Sequence, residues 1–477
     1  MRVRIVAVTA VALLVAGCTA DGGDESRAAA PSSSAGPSAA ASFAPGAAGA
    51  GDPYFPTYGN GGYDVAGYDL SLRFDPASGR LEGTATITAT ATQDLSRLNL
   101  DLATLTASKV TVDGRAATSR ADKNELVITP AFGIARGAAF TVVVAYAGIP
   151  QPLTNETLGV GGWQRTKDGA FALGQPESAS SWFPVNDHPS DKATWKLAMT
   201  VPDGIEAISN GVPGERTTAG GWTTWRWAEA DPMASYLATV VIGQYRVTTT
   251  THAGKPMVVA MPESLPATGP AAKSLALTGE IADFLATRFG PYPFDAYGGV
   301  VIDDTKVGYA LETQSRPVYG NVFFTGGPNA SVVAHELAHQ WYGDSVALER
   351  WQDIWLNEGF ATYAEWLWAE HQGERTTDQA FDAAYEGFDW RVPTGDPGAG
   401  QLFGDAVYQR GAMVVHALRR TIGDDTFFAL LKSWAAEHRN GNATTAEFVA
   451  AAQKASGRDL SGFFREWLQE KAQPKHP

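Results

Sequence analysis

The chain has 477 residues, 44 % hydrophobic and 18 % charged, with a formal net charge of -15. That length exceeds one small domain and suits two folded units, in an ordinary globular balance. The acidic excess argues against a nucleic-acid partner, which needs basic patches, and a lone cysteine rules out an intrachain disulfide.

Arg2 and Arg4 precede an apolar run from Ile5 to Ala16. The run is too short to span a bilayer as a mature helix but suits the core of an export signal. It ends in Val15-Ala16-Gly17-Cys18, which resembles the lipobox of bacterial lipoproteins. The resemblance implies a signal peptide over residues 1–18 and an exported cell-envelope protein. It also implies a lipid anchor at Cys18, on the outer face of the cytoplasmic membrane. A plain secretory signal with an incidental cysteine is the alternative. Residues 19–52 are nearly all Ala, Gly, Ser and Pro, too poor in apolar surface to fold, and read as a flexible tether.

From residue 53 to 252 the pattern has period two. Tyr68–Phe74, Thr84–Thr92, Phe140–Gly148 and Thr194–Pro202 alternate or run β-branched between Gly, Pro and Asp turns. This predicts an antiparallel β-rich domain. Residues 253–477 hold a few strands and then long helical segments. One follows Pro328 and Asn329, a second covers Asp353–His371, and a third ends at Gly423. A fourth starts where Thr444 and Glu447 suit a capping box. The expected fold is an α+β multidomain chain, with a β-rich N-terminal domain before a mostly helical one.

The chemistry concentrates in the segment around His335, Glu336 and His339. Residues four apart on a helix share a face, so both imidazoles reach one ion. Glu336 points to the side, placed to take a proton from a water on that ion. This H-E-x-x-H pattern is that of a metalloprotease helix. After eighteen intervening residues comes Glu358 on the next long helix. It completes a set of two histidines and one glutamate that favours zinc and leaves a position open for water. The other six histidines show no ligand spacing, and Asn357 reads as support for the third ligand.

These two segments, HELAHQWYGD and WLNEGFATYAE, resemble the gluzincin family of M1 aminopeptidases. The resemblance implies a thermolysin-like catalytic domain over residues 253–477 and covers the chain from about residue 60 to 470. Gly308–Pro317 resembles the family's Gly-Ala-Met-Glu-Asn motif. It implies an edge strand for the substrate backbone at Ala310 and a grip on the free α-amine at Glu312; Tyr309 and Thr313 depart from the motif. Gly174–Trp195 resembles the segment that brings Gln175 and Glu177 to the same amine. Ala406–Ala412 implies that Tyr408 donates to the developing oxyanion. The chain is expected to be a short form without the family's large C-terminal helical domain.

The resulting expectation is a monomeric zinc aminopeptidase acting on peptides with a free N-terminus and touching the membrane only through Cys18. His335, His339 and Glu358 hold one zinc ion, and Glu336 is the general base. Two alternatives remain: a zinc endopeptidase with an open cleft, and a non-catalytic peptide-binding protein on the same scaffold. The paired carboxylates argue against the first, and the intact Glu336 and Tyr408 against the second.

Overall fold

The computed structural model describes residues 42–155 and 159–477. The expected export signal, Cys18 and the tether up to residue 41 lie outside the described residues. The end of the expected tether is part of the folded body. Ala44–Pro45 pair in parallel with the strand Leu95–Asp101. Asp52 is buried and accepts from the amides of Tyr54, Phe55 and Trp351. The body therefore begins by Ala44 rather than at residue 53. Main-chain bonds such as Gly46 N to Arg97 O hold this segment, and a composition of small residues gives no sign of them.

Alternation of apolar and polar residues makes Tyr63–Asp75 and Arg80–Ala91 strands with one buried face. They sit at the centre of a nine-stranded sheet. Lys192–Pro202 and Trp222–Ala234 flank them on one side, Ala139–Gly148 and Thr106–Val112 on the other. These neighbours are antiparallel with one exception: Lys192–Pro202 runs parallel to Tyr63–Asp75, Leu197 opposite Leu70. Parallel partners need a long crossover, so a reading built on adjacent hairpins misses the pairing.

A mixed five-stranded sheet opens the second half, in the order Tyr245–His252, Lys255–Pro262, Tyr297–Ile302, Val318–Gly320, Ala310–Leu311. The first two strands form a hairpin with His252 opposite Lys255. The boundary between the halves thus lies before Tyr245, not after His252. Ala310–Leu311 is the edge strand, antiparallel to Val318–Gly320.

The helices follow as α1 (Pro270–Leu275), α2 (Thr278–Phe289), α3 (Ala330–Ala338), α4 (Trp355–His371), α5 (Thr377–Tyr385), α6 (Gln409–Ile422), α7 (Asp424–Glu437), α8 (Thr445–Ser456) and α9 (Ser461–Phe464). Their ends follow the local chemistry. The Asn329 side chain accepts from Val332 N at the start of α3. Thr444 and Glu447 form the capping box of α8. Gly423 ends α6 at φ 82°, a conformation glycine adopts without strain. Helices α4 and α6 cross where two glycines meet: a Cβ on Gly359 would stand 2.8 Å from the Gly411 carbonyl carbon. That contact brings the start of α6 against the first turn of α4.

Candidate active site

Helix α3 carries His335 and Glu336, with His339 at its C-cap, and the first turn of α4 carries Glu358. The two helices bring both His Nε2 atoms to 3.3 Å from Glu358 Oε2. A tetrahedral site with bonds of about 2.0 Å has edges of about 3.3 Å, so these atoms stand where zinc ligands would. The imidazoles have the right tautomers as well. His335 Nδ1 donates to Glu365 Oε1 at 2.8 Å, and His339 Nδ1 to the Tyr342 carbonyl at 3.0 Å. Both partners can only accept, so each Nε2 lone pair faces the ligand position. Gly343 has φ +135°, and a Cβ there would approach His339 Nδ1 to 3.1 Å. Glycine is what lets the chain turn so close beneath this ligand.

The site lies in a cleft of about 420 Å³ whose lining includes Glu312, Glu336, Glu358, Glu365 and Tyr408. Burial pushes the Glu312 carboxyl up, and that of Glu336 up to about 8. Burial also acts on Glu358, but while the imidazoles carry Nε2 protons the His339 charge and the bonds from both rings outweigh it and hold this carboxyl at about 2; a cation that displaces those protons leaves each Nε2 lone pair free to ligate. Three buried carboxylates, Glu312, Glu336 and Glu358, crowd together here beside two imidazoles. A divalent cation is the group that relieves this crowding, and the donor set fits zinc.

The remaining expected residues divide. Ala310 lines the cleft on the edge strand, and Glu312 follows it, 2 % exposed. Glu312 has a carboxylate oxygen within 4.8 Å of ligand atoms of Glu336 and His339. Gln175 also lines the cleft, its amide nitrogen 3.4 Å from Glu312 Oε1. Tyr408, just before α6, stacks on His335 with ring centroids 5.9 Å apart and 14° between planes. Burial and the charges of Glu358, Glu312 and Glu336 push its hydroxyl well above the ordinary tyrosine range, so it remains a donor.

Glu177 corrects the expectation. It lines a different cavity, with Tyr58, Arg97, Asn99 and Glu125. Two residues beyond Gln175, the chain has turned away from the cleft, and the expected pair of carboxylates does not converge.

Three residues that the sequence reading passed over hold the site in place. Glu365, which orients His335, stands seven residues after Glu358, two helical turns along the same face, a spacing visible in the sequence. Gln340, next to His339, donates to the Glu312 carbonyl at 2.9 Å and accepts from Ser315 N at 2.7 Å. Tyr236, from the β-rich half, donates to Glu312 Oε1 at 2.8 Å; no spacing announces it.

Comparison with known proteins places this geometry. Residues 65–237 match the Peptidase M1 N-terminal domain, and residues 274–467 the Peptidase family M1 domain. Aminopeptidase M1 of Arabidopsis thaliana is 28 % identical over 65 % of this chain and 37 % of its own length. Glutamyl aminopeptidase of Sus scrofa is 27 % identical over 63 % of this chain and 34 % of its own. The chain thus spans little more than a third of these relatives. The M1 zinc metallopeptidase of Deinococcus radiodurans superposes with a TM-score of 0.82 at 29 % identity, over 90 % of this chain and 100 % of that one. A mutant of it bound to a Tyr-Ser-Ala substrate gives the same score and identity, over 90 % and 99 %. From its two matched domains and the shared architecture, this chain belongs to peptidase family M1.

Proposed function

We propose that this chain is a zinc-dependent aminopeptidase that removes the N-terminal residue from peptides. One observation carries the reading: the buried Glu312 carboxylate lies within 4.8 Å of Glu336 and His339. In a peptide the α-amine nitrogen is only about 2.5 Å from its own carbonyl carbon. A group that grips the amine of the residue being removed must therefore stand beside the metal ligands, as Glu312 does.

His335, His339 and Glu358 would hold the zinc. When bound, zinc lowers the pKa of water and polarises the scissile carbonyl. Glu336 takes the proton of the attacking water and passes it to the leaving amine. The Tyr408 hydroxyl donates to the oxygen that gains charge. Glu312 accepts from the substrate ammonium, the Gln175 amide oxygen is open to the same group, and the edge strand at Ala310 lies along the substrate backbone.

The test is a matched pair of fluorogenic leucine amides, one with a free α-amine and one N-acetylated. Turnover of the free amine alone, abolished by a chelator and restored by zinc, is expected. Equal turnover of the acetylated compound would make the protein an endopeptidase, and activity on neither would favour a binding protein. The reading extends to an exported protein with a lipid anchor at Cys18, supported by the signal-like residues 2–18, and to a monomer. Partition into a detergent phase, lost in Cys18→Ser, tests the anchor, and a single-chain mass in solution tests the monomer.

A further inference from the structure

With Glu177 turned to another cavity, Glu312 is the one carboxylate of the expected pair that faces the cleft. Its usefulness depends on which way its oxygens point. Glu312 Oε1 accepts from the Tyr236 hydroxyl at 2.8 Å and lies 3.4 Å from Gln175 Nε2. Gln340 holds the Glu312 main chain from the other side, through its carbonyl. One carboxylate oxygen is thereby tied down, and the other is left for a ligand in the cleft.

Tyr236 is itself firmly placed. It is 1 % exposed, in the short turn Ser235–Leu237. Ser235 Oγ donates to Asp187 at 2.7 Å, Asn210 donates to the Leu237 carbonyl at 2.9 Å, and the Tyr236 ring meets Trp351 edge-on at 5.3 Å. Burial and the Glu312 charge push the Tyr236 hydroxyl well above its ordinary range, so it faces the carboxylate as a donor.

We propose that Tyr236 is a positioning residue that orients Glu312 for the substrate's α-amine, so that the preference for a free N-terminus rests on one carboxylate and a tyrosine from the β-rich half. The inference depends on the aminopeptidase reading and on Glu312 as the amine anchor. A carboxylate that loses its anchored donor rotates and binds the ammonium less well. Because substrate and transition state share the ammonium, the loss appears in KM more than in kcat.

The experiment compares wild type, Tyr236→Phe, Tyr236→His and Leu237→Val on the matched free and acetylated amides, with zinc content and melting temperature recorded for each. If wild type shows no preference for the free amine, the aminopeptidase reading itself fails. Given that preference, Tyr236→Phe is expected to raise KM for the free amine about tenfold or more, the scale of a lost hydrogen bond to a charged group. Its kcat should stay within about threefold, with zinc content unchanged and KM for any residual acetylated turnover unmoved. Tyr236→His, which keeps a ring N–H, should recover part of the preference. Leu237→Val, which keeps the Tyr236 hydroxyl, should lower the melting temperature while retaining more of the preference than Tyr236→Phe. An unchanged ratio of free to acetylated turnover in folded Tyr236→Phe overturns the proposal. So does a loss in Tyr236→Phe that falls equally on the free and acetylated amides, because the hydroxyl would then not act through the α-amine.

Discussion

Replacing Asp52 by alanine tests whether the segment before the first long strand is part of the fold. Asp52 Oδ1 accepts from Tyr54 N at 2.8 Å and Phe55 N at 3.0 Å. Oδ2 accepts from Trp351 N at 2.8 Å and His188 Nε2 at 3.3 Å. Trp351 is fully buried and opens the short turn that leads into α4 and Glu358. Leaving its N–H without an acceptor costs about 1–3 kcal/mol. The Tyr54 and Phe55 amides are half-buried and regain water, so they add about 0.5–1 kcal/mol each. The buried His188 Nε2–H loses its acceptor too and adds about 1–3 kcal/mol. The sum is about 3–8 kcal/mol. In a body of this size about 1–2 °C is lost per kcal/mol, so the melting temperature should fall by about 3–16 °C.

Asp52→Asn should cost nearly as much, because both oxygens serve as acceptors and the amide nitrogen would face N–H donors. Calorimetry on the three proteins measures this, and an asparagine variant as stable as wild type would refute the two-sided role. Burial pushes the Asp52 carboxyl up, but the bonds from His188 and the three amides outweigh it and hold it below its ordinary value. A carboxyl lowered in the folded state binds its proton more readily when unfolded. Its contribution is therefore fully present above about pH 4 and is lost as pH falls through the lower folded value. The difference between wild type and Asp52→Ala should narrow over that acid range.

Glu336→Gln should lower kcat by about 10²- to 10⁴-fold with zinc still bound, the scale of a lost general base; turnover near wild type in the zinc-loaded variant would remove Glu336 from the mechanism. Glu365→Gln should weaken zinc binding by about 10- to 100-fold, read by chelator competition, because His335 loses its anionic partner; an unchanged zinc affinity would count against that support. Gly411→Ala places a Cβ 2.8 Å from Gly359 Cα. Forcing α4 and α6 apart should destabilise the protein by about 1–3 kcal/mol and lower kcat through Tyr408, as seen by melting and steady-state kinetics.

The metal triad and its base were legible because helix geometry is local. Two imidazoles four residues apart share a face wherever the helix lies, and Glu358 needed only one neighbouring helix. The Asn329 and Thr444–Glu447 caps are readable for the same reason: each is settled within one turn. Glu365 obeys the same helical spacing and could have been found. Tyr408 and Gln175 were reached through family resemblance, since nothing in their own surroundings marks a tyrosine or glutamine as cleft-facing.

The order of the two halves, the chemistry of the metal ligands and the ends of the helices are legible in the chain alone. Each follows from periodicity or from groups within a few residues of one another. Folding of the whole chain is what puts Glu177 in another cavity, brings Tyr236 to Glu312 across 76 positions, and has Asp52 accept from the Trp351 amide 299 residues later. It also joins Lys192–Pro202 to Tyr63–Asp75 in parallel and places Tyr245–His252 in the second half. Such contacts depend on which strands share a sheet and how closely helices approach. Those are set by the packing of the whole core, and a local stretch of chain carries no record of them.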